Sequence, residues 1–588
     1  MSAVLEAREP SARYLESLPP AMVRQFDLLA TAPGGVARLR ELILTLAVQG
    51  KLVPQDSRDE PGSALLGRIF AEKNRLIASG QSKRDRSEAA PQVDDSEVLP
   101  AGWASTLLGE VSLVSGGVTL GRKGSLIEPV TLPYLRVANV QRWRVEMNEL
   151  KQVTIARSEL QRFALRSGDL LITEGGDWDK VGRSAIWRGE LPECLHQNHV
   201  FKLRGMLNSW NSEWAQLYLN SPVARTYFAS CAKQTTNLAS INMTQLKACR
   251  FPLPPLAEQA RIVARVDDLM RLCDALEAKG RLEAAQHAQL LSILLGTLTD
   301  SASPEELAAN WQRIADHFDL LIDRPEAVDA LEQTILQLAV RGLLVPQDPD
   351  DEPASVLLER IRAEKKRLIA AGKIKSDKPA SAISDDDALF KLRSGWQWAR
   401  LPDLASVAGG ATPSKAVASN WVGDVPWVSP KDMKVSTIAD AQDHIAPSAL
   451  SGSLNLIPSG SLLVVVRGMI LAHSFPVART TVAVTINQDM KALTPVEPRL
   501  LPFLQLLCEG LKSEILRLVD RSTHGTCKLE STKIFGLAMP IPPLAEQSRI
   551  VARVEELRHL CTALRQRLAA GRTTQSHLAD ALVEQAAA

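Results

Sequence analysis

The sequence predicts an α+β chain built twice: two mixed α/β domains joined by long helices that form an antiparallel coiled coil, the product of a tandem duplication. Three observations carry this prediction. The first is self-similarity at a shift of about 290 residues, the kind of repeat that has to be recognised before any single element is read. Leu46 to Asp56 (LAVQGKLVPQD) recurs as Leu338 to Asp348 (LAVRGLLVPQD), and Arg68 to Gly80 recurs as Arg360 to Gly372. Pro254 to Val266 (PPLAEQARIVARV) recurs as Pro542 to Val554 (PPLAEQSRIVARV) with a single substitution. The second observation is a heptad seam after each proline pair. Ile262, Val266, Leu269, Cys273 and Leu276 step by four and three, as do Ile550, Val554, Leu557, Cys561 and Leu564. The third is the divergent stretch inside each copy, where strand-like runs alternate with glycine-rich turns and short helices.

Each copy reads in the same order. Residues Phe26 to Val48 carry apolar side chains at helical spacing, and Phe318 to Val340 is the counterpart. A second helix follows, with Leu65, Leu66, Ile69, Phe70, Leu76 and Ile77 along one face. Hydrophilic linkers come next, Gln81 to Val98 and Lys373 to Ala388, rich in Ser, Asp, Lys and Pro. The variable segments hold strand-like runs at Pro133–Val140, Asp169–Thr173 and Ser461–Val466, and a helix at Glu213–Leu219. Proline pairs then open the long helices, because proline is preorganised for a first helical turn. The expected divisions are a helical region and linker at 1–98, a first variable domain at 99–253, a central helical region at 254–392, a second variable domain at 393–541 and a terminal helix at 542–588.

Composition narrows the class. With 588 residues, 45% hydrophobic and 23% charged, the chain has the make-up of a globular protein of several domains. Seven scattered cysteines with no C-x-x-C pair argue against a disulfide framework and a zinc ribbon. No apolar signal region or membrane-length apolar run is present, and a cytoplasmic location is expected. The net charge of +1 hides an asymmetry. Between Leu99 and Arg250 there are 18 Lys and Arg against 12 Asp and Glu, and between Arg393 and Met539 there are 14 against 11. The variable domains are basic and the helical regions acidic, a distribution that steers a polyanion to the former.

The PPLxEQxxI motif at Pro254–Ile262 and Pro542–Ile550, the Gly-Trp pairs at Trp103 and Trp396, and the LVPQD segments at Leu52–Asp56 and Leu344–Asp348 resemble the specificity subunit of type I restriction-modification systems. The resemblance runs from about Phe26 to Leu568. It implies that each variable segment is a target-recognition domain reading one half of a split site in double-stranded DNA, and that the helical regions form an antiparallel coiled-coil spacer. It further implies that two methyltransferase (modification) subunits dock on that framework and that restriction (motor-nuclease) subunits complete the complex.

Catalytic parts are missing from the sequence. There is no Asn/Asp-Pro-Pro-aromatic motif for amino-methyl transfer and no phosphate loop, Gly116 to Lys123 being a near miss with Arg122 in the lysine position. Cys194, His196 and His199 form C-x-H-x-x-H without an evident fourth ligand. Glu174, Asp177 and Asp179 beside Gly175-Gly176 read as a solvated turn. No catalytic residue, metal or cofactor is expected. DNA contact calls for Arg or Lys grouped with amide and hydroxyl side chains, because Arg reads guanine, Asn and Gln read adenine, and most bonds go to phosphate. In the first domain the candidates are Thr119, Arg122 and Lys123; Arg136, Asn139, Gln141 and Arg142; and Lys233, Thr235, Thr236 and Asn237. In the second they are Lys415 with Thr412 and Ser414; Lys431 and Lys434; Arg467; and Thr523, His524, Gly525 and Thr526. Trp143, Trp178, Trp421 and Trp427 are candidates for stacking on an extruded base, core packing being the commoner fate of Trp. Two other readings stay open at this point: the recognition half of a single-chain restriction-modification enzyme, and a duplicated coiled-coil adaptor with no DNA role.

Overall fold

A computed structural model of the protein describes residues 26–79, 99–121, 127–176, 180–234, 239–375, 383–450, 454–521 and 526–587. The chain divides into two compact units, residues 1–282 with 572–588 and residues 283–571. Both long helices cross a unit boundary, so each unit is completed by the final turns of a helix that starts in the other.

In the first unit, α1 (Phe26–Thr31) and α2 (Gly35–Val48) replace the single helix expected from Phe26 to Val48. The break comes at Pro33-Gly34, where Gly34 sits in the left-handed region at φ 70°. Leu39, Leu42, Ile43, Leu46 and Ala47 are buried on α2, as their spacing requires. The helix α3 (Gly62–Ala78) buries Leu65 and Ile69, while Phe70 stays 39% exposed. Between α2 and α3, Gly50 adopts φ 67°, and a Cβ there would lie 2.9 Å from the ring of Trp103. The repeat places Gly342 against Trp396 in the same way, at 2.8 Å.

The first variable domain begins and ends on one antiparallel pair, β1 (Ala104–Leu107) with β14 (Arg250–Leu253). Its central sheet runs β2 (Ser112–Ser115), β11 (Val200–Gly205), β7 (Leu170–Thr173), β9 (Ser184–Ile186), all antiparallel, with β7 wholly buried. A second sheet runs β10 (Leu195–His196), β3 (Pro129–Leu135), β6 (Lys151–Ala156). The strand expected over 133–140 therefore starts and stops earlier, and a 3-10 turn at Val137–Asn139 leads into the small hairpin β4 (Val140–Gln141) and β5 (Arg144–Val145). A third ribbon sets β8 (Gly175–Gly176) beside the hairpin β12 (Lys233–Gln234) and β13 (Ala239–Ser240). Helices α4 (Ser212–Asn220) and α5 (Pro222–Cys231) cover the core, and α6 (Leu256–Thr299) leaves it.

The second unit repeats the plan with different contents. Helices α7 (Pro304–Ala315), α8 (Pro325–Val340) and α9 (Ala354–Ala370) precede a domain framed by β15 (Gln397–Ala399) paired with β26 (Met539–Ile541). Its central sheet runs β16 (Ala405–Gly409), β23 (Met490–Pro495), β20 (Leu462–Val465), β21 (Val477–Thr480), β18 (Thr437–Ile438). Beside it lie β19 (Asp443–Ile445), β17 (Val425–Val428), β22 (Thr485–Ile486), and a hairpin of β24 (Val519–Arg521) with β25 (Cys527–Leu529). Helix α10 (Leu501–Gly510) packs on α8, and α11 (Leu544–Ala587) closes the chain.

The heptad seams are buried, and each is covered by its own unit. Ile262, Val266, Leu269 and Cys273 share a core with Leu39, Leu42, Ile43 and Leu46, Leu276 being partly buried at its edge. Arg40 on α2 fixes the contact by donating to Asp274 at 2.6 Å and Glu277 at 3.2 Å. Ile550, Val554 and Cys561 join the core that holds Leu331, Ile335 and Leu336 of α8, with Leu557 and Leu564 packed against it. There Arg565 pairs with Asp329 at 2.7 Å and Glu332 at 2.9 Å. From Glu277 to Gln286, α6 is exposed on every side. Among the described residues no helix is long and apolar enough to cross a membrane.

Candidate nucleic-acid interface

The repeated motif explains how each variable domain is mounted. Glu258 sits in the first turn of α6, 1% exposed, and accepts a hydrogen bond at 3.0 Å from the indole Nε1 of Trp103. Gln259 folds back so that its Nε2 donates to the carbonyl of Pro254 at 2.9 Å. Arg261 reaches Asp59, just beyond the LVPQD segment, at 2.6 Å. The second copy reproduces each bond: Trp396 to Glu546 at 3.0 Å, Gln547 to Pro542 at 2.9 Å and Arg549 to Asp351 at 2.5 Å. Burial pushes both carboxyls above the ordinary range, while the indole donor and the nearby arginine pull the other way. Arg261 and Arg549 are thereby engaged inside their units, as is Arg558, which pairs with Glu332 and Glu509.

At the far end of the central strand the two units share a second device. In the first, the chain leaves β7 through Glu174 into β8, whose Gly175 and Gly176 pair with Ser240 and Ala239 of β13. In the second, Arg467 follows β20 and bridges Lys528 of β25, while Val519 to Arg521 of β24 completes the ribbon. Each central strand therefore runs out onto an antiparallel hairpin. The candidates Thr235, Thr236 and Asn237, and Thr523, His524 and Gly525, fall between the strands of those hairpins and lie outside the described residues. Arg122, Lys123 and Trp178 also lie outside the described residues. Lys233 and Thr526, on the hairpin strands or next to them, are exposed. Arg467 is exposed and 3.6 Å from Asp489, and its neighbour Lys528, which the sequence reading missed, is exposed beside it. Nothing in the sequence around a two- or three-residue strand marks Lys528 as different from any surface lysine.

The remaining candidates separate by their bonds. Asn139 departs from the expectation: it is 2% exposed, accepts from the Arg136 backbone N–H at 3.0 Å and donates to the carbonyls of Glu146 and Asn148, each at 2.9 Å. It holds the turn before β4 and has nothing left for a base. Arg136 is half-buried and donates to the Glu149 carbonyl at 2.9 Å. Gln141 donates to the Ala138 carbonyl and accepts from Arg183 at 2.6 Å, and Arg142 donates to Asn220 at 3.2 Å. Thr119, Lys415, Lys431 and Lys434 are exposed. Thr412 is hydrogen-bonded to Gln488, and Ser414 offers its carbonyl to the Trp421 indole at 3.3 Å. Trp427 is buried with its Nε1 on the Ala411 carbonyl and Trp421 edge-on to it, whereas Trp143 is 41% exposed.

Cys194, His196 and His199 do not converge. Cys194 and His196 are buried, and burial lifts the thiol to about 12 and lowers the imidazole to about 4. His196 Nδ1 is 2.7 Å from the Val200 carbonyl, and His199 turns outward to Glu174 at 2.6 Å. Among the described residues no group of three or more His, Cys, Asp or Glu is placed to hold a metal ion.

Comparison with known proteins bears on this arrangement. The profile of the type I restriction modification DNA specificity domain matches residues 100–287 and again 393–570. The chain is similar to the type I restriction enzyme EcoAI specificity subunit of Escherichia coli, 34% identical over 580 residues covering 94% of each chain. It is similar as well to the EcoEI specificity subunit of Escherichia coli, 31% identical over 572 residues with the same coverage. The crystal structure of the HsdS subunit from Thermoanaerobacter tengcongensis aligns over 84% of this chain and 98% of its own, with a TM-score of 0.36 and 17% identity.

Proposed function

The chain belongs to the type I restriction modification DNA specificity family, and from that premise we propose that each target domain reads one half of a bipartite DNA site through the ribbon at the end of its central strand. The divisions at 99–253 and 393–541 are then the two readers, and 1–98, 254–392 and 542–588 are the frame. The chain is a non-catalytic subunit acting in the cytoplasm: two modification subunits dock on the helical frame and supply methyl transfer, and restriction subunits supply cleavage. The long helices set the spacing between half-sites.

The observation that carries this reading is the contrast between the two ends of each domain. The mounting bonds of Trp103, Glu258, Gln259 and Arg261 recur one for one in the second copy, while the ribbons carry different side chains, Glu174 and Lys233 in one and Arg467 and Lys528 in the other. A frame held constant under two surfaces that differ is what reading two different half-sites demands. The test is to exchange residues 104–253 for the corresponding segment of a relative and map methylation in a host carrying the complex. One half of the methylated sequence is expected to change and the other to stay. Change in both halves, or in neither while methylation continues, refutes the assignment.

A further inference from the structure

Trp143 occupies a position that its own chemistry does not favour. It is the second residue of the two-residue loop between β4 and β5, where Gln141 pairs with Arg144, and it holds φ at 74°. That left-handed conformation ordinarily falls to glycine or asparagine, and a bulky aromatic there is a true outlier. Strain of this kind is usually offset by burial of the side chain, yet the indole is 41% exposed.

The turn is held by the Trp143 backbone and the Arg142 side chain. The N–H of Trp143 donates to the Ser184 carbonyl at 3.1 Å. Arg142 donates to Asn220 Oδ1 at 3.2 Å, and Asn220 in turn exchanges hydrogen bonds with the Ser184 backbone at 3.2 and 3.0 Å. The turn is thus tied down at both residues to the first residue of β9, leaving the ring as the part that projects. Ser184 pairs with Ile172 on β7, two residues before Glu174 and the ribbon. The indole therefore stands at the same end of the central sheet as the hairpin of Lys233. Arg142, Arg144 and Arg183 lie on or beside the strands around it, with Glu146 neutralised by Arg144 at 2.7 Å. These arginines are engaged within the domain, and the exposed indole offers the flat π-face on which a nucleic-acid base stacks.

We propose that Trp143 contacts DNA directly, its indole stacking on a base of the half-site read by the first target domain. In the second unit the described chain leading into β18, which pairs with β21, carries no aromatic residue and exposes Val435 at 53%. The contact therefore belongs to one half-site only. This inference rests on the DNA-reading role proposed above.

The test uses the complex of the full chain with its modification subunits, carrying Trp143→Gly, Trp143→Ala or Trp143→Phe. Binding is measured on a labelled duplex bearing the methylated site and on one with the first half-site scrambled, alongside the urea midpoint of each variant. Glycine and alanine are expected to weaken binding to the intact site about tenfold, within the range for loss of one stacked base. Phenylalanine keeps binding within about threefold because a ring remains. Glycine leaves the urea midpoint unchanged or raises it, since it accepts the positive φ that tryptophan resists. Binding by the glycine and alanine variants within about twofold of the parent refutes a DNA contact of this strength. A fall in the urea midpoint with equal loss on both duplexes shows that the ring is structural, and failure to assemble with the modification subunits moves it to a protein interface. Either result overturns the proposal. A parent complex with no preference for the intact site removes the DNA-reading role itself, and this proposal with it.

Discussion

Replacing Trp103 by phenylalanine tests whether the repeated motif is held by a hydrogen bond or by packing alone. The indole is buried, its Nε1 is 3.0 Å from a carboxylate oxygen of Glu258, and its ring stands edge-on to Trp214 at 5.6 Å. Phenylalanine keeps a ring for that contact and removes the donor. A hydrogen bond to a charged group contributes about 1.5 to 3 kcal/mol, and the volume left by the smaller ring adds about 1 kcal/mol, so the expected loss is about 3 kcal/mol. In a unit of this size that lowers the melting temperature by about 6 to 9 °C. Trp103→Phe made in a Glu258→Gln background separates the two contributions. The amide still accepts a bond but carries no charge, and the coupling between the two changes is expected at about 1 to 2 kcal/mol. Acid should soften the loss. Burial raises the Glu258 carboxyl pKa, so the folded state holds the proton more tightly than the unfolded one. The ionised group then subtracts stability above that pKa, and the cost is relieved as pH falls through it. The penalty for Trp103→Phe, which deprives the ionised form of its donor, is therefore larger at neutral pH than at a pH in or below the ordinary carboxylate range, where the raised group is protonated. Urea unfolding followed by circular dichroism at both pH values measures all of this. A loss that is the same in the parent chain and in the Glu258→Gln background would show that the ring matters only as filler.

Gly280 and Gly571 lie inside the long helices with no atom within 4 Å of where a Cβ would sit, so Gly280→Ala and Gly571→Ala should each stabilise the chain by about 1 kcal/mol in thermal melts; a loss would mean that the helix needs its glycine. Gly182 is the opposite case, at φ 69° with a Cβ position 2.4 Å from the Phe228 ring, and Gly182→Ala should cost about 2 to 3 kcal/mol in the same assay. Four residues inserted after Gly280 together with four after Gly571 lengthen each helix by about 6 Å and should widen the gap in the methylated site by about two base pairs; an active variant that keeps the original gap would show that these helices are not the ruler.

The helical frame is legible in the sequence because its signals are local and periodic. Gln259 folds back on the carbonyl of Pro254, and the seam residues share one helical face, so both features appear within a short stretch of sequence, whereas the partner of Glu258, Trp103, lies 155 residues away. A heptad stripe states that a helix is covered but not by what: the seam of α6 meets α2, more than 200 residues away, through a contact that Arg40 completes from the other side. Apolar spacing also hides a break, since Pro33-Gly34 splits a helix whose pattern continues across it. The ribbons are only half visible. Their strands are two or three residues long, too short for alternation to register. Asn139 shows the converse limit. An amide among arginines has the composition of a base reader, yet three backbone groups within ten residues claim it, and only the turn geometry reveals that.

The same geometry explains why two unlike readers can sit on one repeated frame. Each target domain enters and leaves through a single antiparallel pair, Ala104 opposite Leu253 and Leu107 opposite Arg250 in one, Gln397 opposite Ile541 and Ala399 opposite Met539 in the other. The tryptophan just before the entering strand bonds the glutamate just after the leaving strand, so the bonds that fix the domain to its helix lie outside the segment that varies. Changes on the ribbon, at the opposite end of the central strand, leave those bonds untouched. A mutation there alters which groups face the ligand without removing a buried partner, and its effect on stability stays within the small range of surface substitutions. A mutation in the mount strands a buried carboxylate and is felt by the whole unit. Divergence is therefore tolerated at one end of the domain and destabilising at the other, which is the pattern the two copies display.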